Sequence, residues 1–81
     1  MRIDKFLNSV NITKRRSIAQ DMLSNKVVMI NDTIVKPSKN VEVGDKITIN
    51  YLNETKHYQV MQIPLTKSTP KSLQSEYIKE V

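Results

Sequence analysis

Cysteine is absent from the 81-residue chain, so neither a disulfide nor a thiolate metal site is available. One histidine, His57, cannot complete a metal site by itself. Tryptophan is absent, and one phenylalanine and three tyrosines are too few for a platform that stacks exposed bases in series. The chain has one glycine, Gly44, which marks that position as a turn other residues fit poorly. No apolar run reaches the about 18 residues a membrane-crossing helix needs, so no membrane partner is expected. Charged Arg2 and Asp4 follow Met1 at once, which does not suit a secretory signal, and the expected location is the cytoplasm. No nucleophile stands with a base, and Asp4 and Asp21 do not form a catalytic carboxylate pair. The expectation is no catalytic residue, no cofactor, no metal and no small-molecule substrate.

What the chain does have is a one-sided positive charge. Residues 1–39 hold eight Lys/Arg and three Asp/Glu, whereas residues 40–81 hold five of each. The whole net charge of +5 therefore lies on the N-terminal half. An excess confined in this way points to a face that meets phosphates.

The pattern along the chain is that of one small α+β domain: two short N-terminal helices packed on a small antiparallel sheet, with a short C-terminal tail or helix. Phe6, Leu7 and Val10 share a helical face over residues 3–10, and Asp4 is the expected N-cap. A second helix is expected from Thr13 as N-cap, with Ile18, Ala19, Met22 and Leu23 as its apolar stripe. Lys14, Arg15 and Arg16 open it against the helix macrodipole, a local conflict that a bound anion relieves. Asn25 is the expected left-handed residue after it. Strands are expected at 27–30, 33–36, 46–51 and 56–63, with a hairpin turn at Asn31-Asp32 and a tight turn at Gly44. Residues 1–63 are the expected domain and 64–81 an extension, partly ordered at best. A short helix from Thr69-Pro70, docked by Leu73 and Tyr77, is one form for it.

Five pieces in this order resemble a known family. They are Arg2-Ile3-Asp4-Lys5-Phe6-Leu7, Lys14-Arg15-Arg16-Ser17-Ile18-Ala19, Val28-Met29-Ile30-Asn31, Val35-Lys36-Pro37-Ser38 and Val41-Glu42-Val43-Gly44-Asp45-Lys46-Ile47. Together they resemble the RNA-binding domain named after small-subunit ribosomal protein S-four, over residues 1–51. The short chain is similar to the stand-alone members, which include the heat-shock protein fifteen and quality-control P factor families. Two departures stand out. The family usually has glycine near position 26 and Asn-Gly at the hairpin; this chain has Asn25-Lys26 and Asn31-Asp32.

The resemblance implies RNA binding by the αL motif. The implied partners are ribosomal RNA on the large ribosomal subunit, with peptidyl-tRNA beside it, in quality control of stalled ribosomes. Ribosome assembly, or guiding an RNA-modifying enzyme, is the alternative. A protein-interaction module using the sheet edge or tail is a rival of another class. The expected RNA-binding residues are Arg2, Lys5, Lys14, Arg15, Arg16, Ser17, Gln20, Lys26 and Asn31. Arg16 matches the family's arginine at the second helix. Arg2 either meets RNA or pairs with Asp4. Ser17 and Gln20 either donate to phosphate and ribose or are ordinary surface groups. Lys36 and Lys39 read as peripheral. His57 reads as a surface or cross-strand residue rather than a ligand, Phe6 as core, and Tyr51 and Tyr58 as packing groups rather than platforms for exposed bases.

Overall fold

In a computed structural model of the chain, describing residues 1–65 and 69–81, Ile3, Phe6, Leu7 and Val10 have no exposed surface. Their spacing is one helical face, and α1 forms over Ile3–Ser9. The second helix, α2, runs Arg16–Ser24 and buries Ala19 and Leu23, one turn apart, against the same core. The expected stripe is narrower than drawn. Met22 is only partly covered, and Ile18 is 41% exposed at the margin of the contact.

Both helices end in the same way, and neither uses glycine. After α1, Asn11 is left-handed (φ 65°), its N–H donating to Asn8 O (3.1 Å) and the N–H of Ile12 to Leu7 O (3.0 Å). After α2, Lys26 is left-handed (φ 62°), its N–H donating to Leu23 O (3.1 Å) and the N–H of Val27 to Met22 O (3.1 Å). Each pair of bonds is a Schellman motif, with the apolar pair Leu7/Ile12 or Met22/Val27 at its ends. The left-handed residue is thus Lys26 and not Asn25, whose φ is −86°. Lys26 stands where the resembled family has glycine.

The helix starts also differ from expectation. Arg2, not Asp4, is the N-cap of α1. The first amides find partners in a distant loop, Ile3 N–H on Lys39 O (2.7 Å) and Asp4 N–H on Pro37 O (3.4 Å). Arg15, not Thr13, is the N-cap of α2. Thr13 is buried, and its hydroxyl donates to Arg15 O (3.1 Å), bracing the linker rather than the helix.

The strands are β1 (Val28–Ile30), β2 (Thr33–Ile34), β3 (Lys46–Asn50), β4 (Thr55–Val60) and β5 (Ile78–Glu80), preceded by a 3-10 turn (Lys71–Leu73) and α3 (Gln74–Tyr77). They form one antiparallel sheet in the order β2-β1-β3-β4-β5. Val28, Ile30, Ile47, Ile49, Val60 and Ile78 bury one face of it against the helices. Asn31 and Asp32 both have positive φ (50° and 65°), which closes the β1–β2 hairpin in two residues. Gly44 has φ 94° with nothing within 4 Å of where a Cβ would lie, so handedness, not crowding, requires glycine there.

β5 is the element the sequence pattern did not place, having a single inward residue, Ile78, among three. Its segment is also tied to the end of α1. Thr69 N–H and hydroxyl both donate to Ser9 O (2.9 Å each), Asn11 Nδ2 to Thr69 O (2.6 Å) and Gln74 Nε2 to Val10 O (2.6 Å). The bonds to Ser9 O and Val10 O satisfy carbonyls that the end of α1 leaves free. Residues 66–68, inside the expected extension, lie outside the described residues.

The left-handed Lys26 generates a stability prediction. A non-glycine residue in that region costs about 1–2 kcal/mol, of which glycine's added chain entropy returns part. Lys26→Gly should stabilise the fold by about 0.5–1 kcal/mol in urea unfolding. An unchanged or lower midpoint would show that Lys26 is unstrained.

Candidate nucleic-acid interface

Asp4 has no exposed surface, although it is charged and lies in the first turn of α1. Burial of a carboxylate is tolerated only when donors surround it. Its Oδ1 accepts from Lys5 N–H (2.7 Å), and its Oδ2 from Gln20 Nε2 (3.0 Å) and Arg2 Nη2 (3.1 Å). Arg16 approaches both oxygens, Nε at 3.4 Å from Oδ2 and Nη2 at 3.5 Å from Oδ1. Burial alone raises the carboxyl's pKa. The hydrogen bonds from Gln20, Lys5 N–H and Arg16, with the Arg16 charge, outweigh it and hold the group below its ordinary value.

The carboxylate thereby joins the two helices through polar groups on their outer side. It also fixes two guanidinium groups whose side chains remain 46% (Arg2) and 43% (Arg16) exposed. Each arginine keeps donors facing water after binding Asp4, and a planar fork held in place suits phosphate. Lys14, Arg15 and Ser17 are exposed beside Arg16 in the chain, and Lys5 is half-buried next to Asp4. Among the described residues, Lys5, Lys14, Arg15 and Lys26 form no ion pair.

Of the expected site residues, Arg2, Arg16 and Gln20 are brought together around Asp4. Lys26 lies at the far end of α2, roughly 13 Å along its axis from Arg16. Asn31 is occupied by the fold: its Oδ1 accepts from Lys46 N–H (3.0 Å) and its Nδ2 donates to Asp45 Oδ1 (3.1 Å). Two further cations, which read from sequence as peripheral, lie on a loop packed against the start of α1. The loop that caps α1 carries Lys36 and Lys39, and Arg2 forms a lone β-bridge with Asn40. Both lysines therefore flank the Arg2 end of the face. The only signal for this in the chain was Pro37, which marks a turn but not its neighbour. His57 is a cross-strand residue, its Nδ1 3.0 Å from Thr48 Oγ1. Lys56 is engaged with Glu54 (3.7 Å) and Glu80 (3.8 Å).

A family model described as the S4 domain matches residues 1–47. The chain belongs to the S4 domain family. Among similar members is the RQC P-site tRNA stabilizing factor of Helicobacter pylori strain J99, 45% identical over 78 residues, covering 96% of this chain and 93% of that one. The factor of the same description from Bacillus subtilis is 32% identical over 63 residues, covering 78% of this chain and 73% of the other. The trimeric structure of Vibrio cholerae heat shock protein 15 superposes with TM-score 0.91 at 28% identity, covering 100% of this chain and 81% of that one. The cation-lined start of α2 lies inside the matched region. Among the described residues, no helix is long and apolar enough to cross a membrane.

The depressed pKa of Asp4 sets a pH dependence. Its stabilising effect is complete above the unfolded carboxyl's pKa, about 3.9, and is lost as pH falls through the lower folded value. Asp4→Asn should cost about 1–3 kcal/mol at neutral pH, and that difference should shrink below about pH 4. Urea unfolding of both proteins from neutral to acid pH checks this. A difference that stays constant into acid would detach Asp4 from the acid limb.

Proposed function

We propose that this chain is a non-catalytic, cytoplasmic RNA-binding protein that sits on ribosomal RNA of the large ribosomal subunit, with peptidyl-tRNA beside it, in quality control of stalled ribosomes. The observation that carries this reading is the set of outward-facing cations assembled on the buried Asp4 carboxylate. Membership of the S4 family and likeness over nearly the whole chain to a P-site tRNA stabilizing factor support it. The contact residues are Arg2, Lys5, Lys14, Arg15, Arg16, Ser17 and Gln20, with Lys26 after α2 and Asn31 at the β1–β2 turn, at opposite ends of β1, touching further stretches of backbone.

The mechanism is electrostatic and geometric. Arg2 and Arg16 present fixed forks to phosphate, while Lys14 and Arg15 add mobile charge at the start of α2, where free amides favour an anion. Recognition by backbone and shape suits folded RNA, whose deep groove side chains do not read. About five neutralised phosphates give log K a slope of roughly −3 to −5 against log salt.

Charge reversal at Arg16 would place a carboxylate against Asp4 and disturb the fold, so the informative variant is Lys14→Glu/Arg15→Glu, whose side chains are exposed. In gradient sedimentation with purified large subunits, the wild type should travel with the subunit. The double variant should bind about tenfold or more weakly at about 0.1 M salt. Equal sedimentation of the two proteins, or failure of both to bind at any salt concentration, would overturn the proposal.

A further inference from the structure

A second feature lies beside the Asp4 cluster and outside the residues assigned to it. An open groove of about 880 Å³ is lined by parts of the β1–β2 hairpin and of the loop that follows it. This is within the size range of small-ligand sites, about 300–1,000 Å³. Its lining combines three chemistries. Ile30, Ile34 and Val35 supply apolar surface, with Ile34 52% exposed on the edge strand β2. Lys36, Ser38, Lys39 and Asn40 supply cations and neutral polar groups, and Glu42 and Asp45 supply carboxylates.

The two carboxylates are not equivalent. Asp45 is held within the fold, accepting from Asn31 Nδ2 (3.1 Å) and Glu42 N–H (2.9 Å). The Glu42 carboxylate is exposed and, among the described residues, has no hydrogen-bond or ion-pair partner. The cationic part of the lining is continuous with the candidate interface through the backbone. Lys39 O accepts from Ile3 N–H, and Asn40 bridges Arg2. A nucleic-acid strand with a phosphate on Arg2 therefore meets Lys39 and Lys36 next, at the groove.

We propose that this groove seats one unstacked nucleotide of the bound RNA, its phosphate on Lys36 and Lys39 and its base presenting amino and ring N–H donors to the Glu42 carboxylate. The proposal rests on the RNA-binding reading and adds a point of base selection to a face that otherwise meets backbone. Cations, an apolar surface and an unpaired acceptor side by side match the three parts of a nucleotide: phosphate, ring and base edge. Guanine fits best, because its ring N–H and amino group lie on one edge and one carboxylate accepts both. Cytosine and adenine offer an amino group, and uracil offers none.

The test is nuclear magnetic resonance titration of the nitrogen-15-labelled full chain with the triribonucleotides U-G-U, U-C-U, U-A-U and U-U-U. Amides of Ile34, Lys36, Ser38 and Asn40 should shift, with U-G-U binding about fivefold or more tightly than U-U-U. Glu42→Gln should reduce that preference to within about twofold while leaving the shifts at Arg16 and Ser17 as in the wild type. Lys36→Glu/Lys39→Glu should abolish the groove shifts with all four RNAs, and the variants' own spectra report that they are folded. Shifts confined to the start of α2, equal affinity for U-G-U and U-U-U, or a preference that survives Glu42→Gln would each overturn the nucleotide seat and leave the RNA face standing. Shifts nowhere would also overturn the seat, and large-subunit sedimentation then decides the RNA reading separately.

Discussion

A carboxylate with no exposed surface lies between two half-exposed guanidinium groups, and the geometry of the cationic face follows from it. Asp4 is held by a backbone amide, Gln20 and two arginines, which offsets the loss of its hydration. The pairing does two jobs with one group. It crosses from α1 to α2 where the apolar contact ends, and it orders two long side chains. Left free, each loses on the order of 1–2 kcal/mol of rotamer entropy when a ligand fixes it. Here the fold has already ordered them against Asp4, so a phosphate bound at this face would not bear that cost again.

The rest of the molecule positions that pairing with little help from glycine. Among the described residues, four non-glycine residues, Asn11, Lys26, Asn31 and Asp32, adopt left-handed backbone, and each closes a helix or a hairpin. Asparagine and aspartate do so at modest cost, while lysine at position 26 does not share that advantage. The loop 36–40 then supplies the carbonyls that cap α1, so the start of the Asp4 helix depends on residues more than 30 positions away in the chain. Thr69 and Gln74 do the same for its end. A seven-residue helix is marginal alone and stands here because both ends are satisfied from elsewhere.

The α+β architecture, the two helices, the Asn31-Asp32 hairpin and the Gly44 turn were legible in the sequence, because period and turn chemistry are local properties. So was the concentration of charge around Arg16, within the S4 resemblance that the family match bears out. What was not legible depended on distant partners. Asp4 resembles an N-cap when only its neighbours are seen; Gln20 and Arg16, on another helix, make it a buried hub. Thr13 looks like a cap until its burial is known. β5 is three residues with one inward side chain, a signal too short for alternation to reveal. The position of the loop carrying Lys36 and Lys39 was not legible either, because nothing in the chain places it against α1.

The most direct measurement is the affinity of Asp4→Asn for purified large ribosomal subunits, beside wild type, at a pH and temperature where both are folded. Removing a negative charge from a surface that meets a polyanion should, by charge alone, tighten binding. Loss of the group that fixes Arg2 and Arg16 should weaken it. The expected result is weaker binding with little change in the salt slope, since the number of cations is unchanged. Equal or tighter binding would contradict the organising role of Asp4.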